Sequence, residues 1–376
     1  MNKLSLSLQA LRDVAKVEAD QYELNSYSQR AKMVGEAATT LAEQKMTGCA
    51  YWVEAGGESD GGRLRKVAVA CAPVEVSPLL RTHLFGAEHS VTLTSATLAT
   101  RTSREEEPSE HAETAFAHAM ARLGCDQIPA AEGKHRQVRT LQVGSPFDYA
   151  TQVELVIDQR VDAKGAFGRK PKARGEFDVD WELPVDGEPA ADTRSYAEKL
   201  ADCVEEHVLE TDGGAFVLFT SFATLNAVAR RLRPGLESRG MPLLAQGADG
   251  SREDILRRFR EDPRSVLLGA ASFWQGVDVR GRGLRNVIIT KLPFDPPDRP
   301  LTEARGELIQ SRGGNPFMED AIPRAVIRFK QGFGRLIRSR EDHGRVVVLD
   351  GRLVTARYGR LFLSALPPGV PVRRVP

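Results

Sequence analysis

Residues 330–338, KQGFGRLIR, set two arginines, a glutamine and two glycines within nine positions. On a helix Arg335 and Arg338 lie three apart and Gln331 lies four before Arg335, so the spacing predicts one shared face. Gly332 and Gly334 each cost a helix about 1 kcal/mol relative to alanine, so they serve something other than helix propensity. Two guanidiniums and an amide on one face, approachable because glycine removes bulk, suit a polyphosphate whose charge rises in a transition state. An exposed basic helix with flexible glycines is the plain alternative.

Three further segments carry small hydroxyl residues just after apolar runs. Thr94 is followed by Ser95, Ala96 and Thr97; AFVLFT, ending at Thr220, by Ser221 and Phe222; SVLLG by SFWQGVD at 272–278. Hydroxyls and glycines there let a backbone approach a phosphate and donate N–H groups to it. A turn or a helix cap accounts for any one of them alone.

The elements that must position these residues follow from periodicity. Leu4, Leu8, Leu11 and Ala15 recur at helical spacing, and the pattern continues weakly to Gly48, predicting a long helix or helix pair. YWVE and RKVAVACAP flank a Gly-rich turn at 56–62 and predict a hairpin; 90–94 reads as a short strand and 116–123 as a helix. Residues 162–190 are dense in Gly, Pro and charge and read as a long loop or insertion. Beyond Tyr196, strand-length apolar runs at 215–220, 265–269, 286–290 and 345–349 alternate with amphipathic stretches at 222–232, 251–260, 301–310 and 322–333. This alternation predicts an α/β fold with a parallel sheet covered on both faces, whose chemistry lies in loops at the carboxyl ends of strands.

Lys plus Arg number 52 against 51 Asp plus Glu, so bulk charge does not mark a nucleic-acid protein. Its distribution is more telling: ten Lys or Arg stand against three Asp or Glu from 324 to 360, the local basic stripe that phosphate partners require. Cys49, Cys71, Cys125 and Cys203 stand far apart in sequence without a CxxC pair, which argues against metal or cluster ligation. No apolar run reaches the length of a membrane span and no export signal is visible, so the expectation is a cytoplasmic protein without membrane contact.

SVTLTSATL, VLFTSFATL, LLGAASFWQGVDV, NVIITKLPFDPP and KQGFGRLIRS followed by GRVVVLDGR resemble, in order, the motifs of superfamily-two helicases of the DinG and XPD branch. The resemblance runs from about residue 50 to Pro367. It implies a RecA-like second motor domain at 101–376, a C-terminal piece of the first motor domain at 49–100, and a remnant of the helical arch insertion at 1–48. It assigns Thr94, Ser95 and Thr97 to coupling of hydrolysis to strand movement, and Thr220, Ser221 and Phe222 to DNA phosphates. Gly276 and Asp278 would organise the nucleotide site. With Gln331 and Gly334 beside them, Arg338 would be the arginine finger and Arg335 its partner on phosphate. Single-stranded DNA and ATP with Mg2+ are the implied ligands, usually with 5′ to 3′ movement. Gly351 departs from the pattern, standing where proline is expected, which predicts a looser turn.

Such a motor also needs a GxxxxGK[ST] loop for the phosphates and a DEAH-type strand end for the metal. Neither occurs in this sequence, nor does the family's four-cysteine iron-sulfur insertion. The expectation is therefore half of a nucleotide cleft, inactive alone and completed by a missing N-terminal half in cis or in trans. The alternative is a binding module that has kept a DNA or partner surface and abandoned catalysis.

Overall fold

In the computed structural model of the chain, residues 1–55, 67–86, 89–102, 109–126, 138–161, 194–274 and 283–376 are described. The Gly-rich turn, the 162–190 loop, and Gly276 and Asp278 lie outside them. The chain divides into two units, one of Met1–His89, Arg122–Pro129 and Pro296–Pro316, the other of Ser90–Ala121, Ala130–Asp295 and Phe317–Pro376.

In the first unit the leucine-spaced start forms α1 (Asn2–Val14), which is followed by α2 (Glu18–Glu43). Asn2 meets Gly35, Ser5 Oγ lies 3.0 Å from Ser28 Oγ, and Arg12 Nη1 donates to Asn25 Oδ1 at 3.2 Å, so the helices run antiparallel. Leu4 and Leu11 stay exposed while Leu8 is half-buried. The expected hairpin forms from β1 (Cys49–Ala55) and β2 (Val67–Pro73), antiparallel with Tyr51 opposite Cys71. That register sets Cys49 and Cys71 on one face of the ribbon, a neighbourhood their distance in sequence hides. A short α3 (Ser77–Leu80) continues as a π turn, Arg81–Phe85.

After α4 (Ser109–Leu123) and α5 (Tyr149–Gln152) comes the sheet of the second unit. Its strands are β3 (Val153–Asp158), β4 (Ala215–Leu218), β5 (Leu243–Ala245), β6 (Val266–Gly269), β7 (Asn286–Ile289), β8 (Gly344–Val348) and β9 (Val372–Val375). They pair in the order β5-β6-β4-β7-β8-β3-β9, every pair parallel. The strands are apolar on both sides because both sides are covered. Phe216, Leu218, Leu267, Val287, Ile289, Val346 and Val348 face one core, shared with Phe259, Trp274, Phe329 and Phe362. Ala215, Val217, Phe219, Leu268, Ile288 and Val347 face the other. Helices α6 (Tyr196–Leu209) and α7 (Phe222–Ser238) supply Leu200, Val204, Val208, Leu225, Val228 and Leu232 to that second core.

The remaining helices are α8 (Arg252–Glu261), α9 (Ala271–Trp274), α10 (Pro300–Ser311), α11 (Ile322–Phe333), α12 (Arg352–Thr355) and α13 (Gly359–Leu363). Ser251 caps α8, its Oγ accepting from Asp254 N–H at 3.2 Å. The α10 segment falls in the first unit, where Arg305 Nε donates to Val74 O and Arg312 pairs with Glu75 at 2.7 Å. Helix α7 runs on through Pro234 instead of stopping near 232, because Leu236 continues its buried face. Residues 90–94 form no strand ladder among the described residues; without a partner, local β propensity makes no strand.

Candidate functional site

Helix α11 is amphipathic, burying Ile322, Ala325, Val326, Phe329, Gly332 and Phe333. It ends at Phe333, and Gly334 follows as its cap with φ −68° and ψ 4°. The expected common helical face of Gln331, Arg335 and Arg338 therefore does not form. With two glycines near its end the helix is weak there, and Arg335 and Arg338 fall in the turn beyond it. Gly332 is also not spare room for a ligand. A Cβ there would stand 2.9 Å from Trp274 Cζ3 and 3.3 Å from Leu218 Cδ1, so the glycine lets the helix seat on the indole.

Trp274 is the hub of this end of the sheet. Its Nε1 donates to Phe219 O at 2.8 Å, beyond the end of β4, and its own carbonyl accepts from Arg335 Nη2. Arg335 is buried and turned inward. Trp274 thus holds, through its indole, the segment that leads to Thr220, Ser221 and Phe222, all exposed, and, through its carbonyl, the turn that leads to Arg338. Ser221 Oγ accepts from Thr224 N–H at 3.5 Å as the α7 cap. Gln246 fastens the neighbouring loop: its Oε1 accepts from Ala270 N–H at 2.7 Å and its Nε2 donates to Ser272 Oγ at 2.9 Å.

Arg338 is exposed, and its guanidinium enters no ion pair among the described residues. Its backbone is nevertheless held. Asp342 Oδ2 accepts from the N–H groups of Arg338 and Ser339 at 2.8 and 2.7 Å. Gln152, 4% exposed, donates through Nε2 to the carbonyls of Ser339, Arg340 and Asp342 at 3.1, 3.1 and 2.9 Å. The arrangement is a solvent-facing cation on a fixed loop, which suits charge recognition without reorganisation. Gln331 is half-buried, and its Oε1 has no hydrogen-bond partner among the described residues.

Ser95 Oγ lies 3.2 Å from Thr97 Oγ1 and accepts from Thr97 N–H at 3.2 Å; Thr94 and Ser95 are exposed. Two residues on, Ala99 O accepts from Lys330 Nζ at 2.8 Å, which connects this segment to α11. Burial alone pushes the Lys330 ammonium down to about 8. At the end of β8, buried Asp350 accepts from Leu292 N–H at 2.8 Å and holds Arg352 at 2.7 Å. Gly351 takes φ −60° and ψ −21°, an ordinary helical conformation that starts α12 and is not a loose turn.

Sequence reasoning missed Trp274, Gln152, Gln246, Lys330 and Asp342. The tryptophan directly preceding a glutamine-glycine pair was the one legible signal among them.

A family model described as the helicase C-terminal domain matches residues 204–369. The chain is 32% identical over 373 residues to ATP-dependent DNA helicase YoaA of Escherichia coli K12, covering 99% of this chain and 47% of that protein. It is 35% identical over 320 residues to 3′-5′ exonuclease DinG of Bacillus subtilis, covering 85% and 29%. ATP-dependent helicase DinG of Mycobacterium tuberculosis is 32% identical over 319 residues, with 84% and 40% covered. The chain thus spans less than half the length of these curated relatives. A solved XPD helicase structure superposes over 98% of this chain and 55% of its own, with TM-score 0.51 and 15% identity, which shows the shared RecA-like fold. Among the described residues no helix is long and apolar enough to cross a membrane, and no group of three or more His, Cys, Asp or Glu gathers as a metal site.

Proposed function

We propose, from the premise that this chain belongs with the DinG- and XPD-type helicases, that it is the C-terminal motor half of an ATP-dependent DNA helicase. One observation carries the reading: Arg338 stands exposed on a loop clasped by Asp342 and Gln152, at the amino ends of the parallel strands β3 and β8. A guanidinium held there stabilises charge that grows on a transferring phosphoryl group. Arg335, buried on the Trp274 carbonyl, fixes the turn from which Arg338 projects.

The residues present fit one side of an ATP site. An exposed guanidinium without an ion pair among the described residues suits phosphate, but the sequence has no GxxxxGK[ST] loop and no DEAH tetrad, so phosphate cradling and Mg2+ ligation come from a further segment in cis or in trans. Gly276 and Asp278, two and four residues after Trp274 and outside the described residues, keep the role in the nucleotide site that the family resemblance implies. Thr94, Ser95, Thr97, Thr220 and Ser221 offer hydroxyls to a single-stranded DNA backbone, and Phe222, 46% exposed, offers a ring to a base.

The test is ATP turnover with single-stranded DNA, measured on the purified chain and on the chain combined with a family segment bearing the phosphate loop and DEAH tetrad. We expect background turnover alone and clear turnover in combination. Arg338→Ala should lower the combined rate by about 10³-fold or more, with DNA binding roughly intact. Turnover by the rigorously purified chain alone would sink the half-motor reading; equal rates with and without Arg338 would remove the finger. Binding of DNA without any gain of turnover would favour the non-catalytic module.

A further inference from the structure

The half-buried cation on α11 that stands nearest to Arg335 in sequence is one to which the reading above gives no task. Lys330 lies on α11 one residue before Gln331, and its Nζ bonds Ala99 O, a carbonyl of an otherwise buried residue. The segment it grips is fastened elsewhere too. Thr100 N–H and Oγ1 both donate to Ala115 O, at 2.9 and 3.2 Å. Thr102 N–H donates to Ser364 O at 3.2 Å and its Oγ1 to Ala365 O at 3.0 Å. Of these bonds, the one from Lys330 stands closest in sequence to the Ser95–Thr97 hydroxyl pair and comes from the helix that leads into the arginine turn.

We propose that Lys330 is a positioning residue that ties residues 97–102 to the arginine-bearing end of α11, so that displacement at the hydroxyl segment is felt at Arg335 and Arg338. A charged donor makes a stronger bond to a carbonyl than a neutral one does. Its partial burial without a carboxylate partner among the described residues is costly, and an apolar side chain of equal length would fill the place more cheaply. That cost is repaid by linkage, not by stability. Beyond the tie the path is short: Gly332 seats on Trp274 two residues later, and Arg335 bonds the Trp274 carbonyl. This inference rests on the reading of Arg338 as a phosphate contact for its consequence, but the tie itself is a property of the chain.

The experiment is amide hydrogen exchange on the full chain, comparing wild type, Lys330→Met and Lys330→Arg at pH about 7 and about 9, with rates corrected for intrinsic exchange. Loss of one charge-assisted bond should lower protection at Thr100 and Thr102 about tenfold in Lys330→Met, while Phe216 and Val217 in β4 keep theirs and Lys330→Arg retains most of it. Raising the pH should strengthen protection of the same amides in wild type and not in Lys330→Met, because an opening that exposes the amine takes up a proton that the closed state has lost above about 8. Among the described residues, the charged groups on the elements packed against α11 include Arg324 and Arg328, paired with Asp295 and Asp320, Glu319 on the turn before α11, Arg101 on the held segment and Arg360 on α13; burial and none of these sets its titration. Equal protection in Lys330→Met and wild type overturns the tie. Should Lys330→Met fail to fold, wild-type protection that stays unchanged between the two pH values overturns it. ATP turnover is not read in this experiment, so its failure counts against the tie alone, and the turnover assay judges the composite site separately.

Discussion

The Arg338 backbone N–H donates to Asp342 Oδ2 at 2.8 Å, so the loop carrying the exposed guanidinium is held by a carboxylate four residues ahead. Gln152 grips the carbonyl side of the same loop from the end of α5. Asp342→Ala should cost about 1 kcal/mol, as loss of a cap does, and Asp342→Asn much less because an amide oxygen still accepts. Gln152→Ala should cost more, about 1–3 kcal/mol, because it strips the partner from three partly buried carbonyls. Urea midpoints check both, and an unchanged midpoint for Gln152→Ala would contradict the clasp.

Gly332→Ala sets two effects against each other. Helix propensity favours alanine by about 1 kcal/mol. The added Cβ, 2.9 Å from Trp274 Cζ3 in a packed core, costs about 1–3 kcal/mol through overpacking. Because Trp274 is fully buried and fixed by its Nε1 bond, it has little room to yield, and net destabilisation is expected in thermal or chemical denaturation. A stabilised variant would show that the indole can shift.

Gly351→Ala should go the other way. Its φ of −60° suits any residue, and an added Cβ would sit 3.7 Å from Gln159 Cγ, an ordinary contact. Reduced freedom of the unfolded chain then stabilises by about 0.4–1 kcal/mol. A lowered denaturation midpoint would refute this account of the turn.

Lys330 gives a signed pH dependence. Its folded value of about 8 lies below the ordinary 10.5, so between those values the unfolded chain binds the extra proton. Stability attributable to this group therefore rises as pH climbs from about 8 toward 10.5, and is at its lowest below 8, where both states are protonated. Other groups titrate in the same range, so the comparison is wild type minus Lys330→Met across pH 7 to about 10. That difference should shift toward wild type with rising pH; a flat difference would show that the ammonium is not desolvated.

Much of the architecture was legible because it is written in short-range pattern. Continuous apolar runs at 215–218, 266–269, 286–289 and 344–348 required cover on both faces and became parallel strands. Strand β5, three residues long, fell below what periodicity resolves; β9, VRRV, carries two arginines in place of an apolar run, and β3 follows a region punctuated by Pro and Gly. The hairpin of β1 and β2 was readable for the same local reason, whereas the shared face of Cys49 and Cys71 needed its register.

By itself the sequence determined the alternation of strands and helices, the hydroxyl and arginine segments, and the lack of a phosphate loop in this chain, because each depends on residues a few positions apart. Only the tertiary structure decided that α11 stops at Phe333, that Gly332 makes room for an indole and not for a ligand, and that Arg335 turns inward while Arg338 stays exposed. Those outcomes depend on Trp274, 61 residues before Arg335, and on Gln152, 187 residues before Ser339. Packing and hydrogen-bond satisfaction act between groups that meet only once the chain has folded, and no spacing along the chain encodes them.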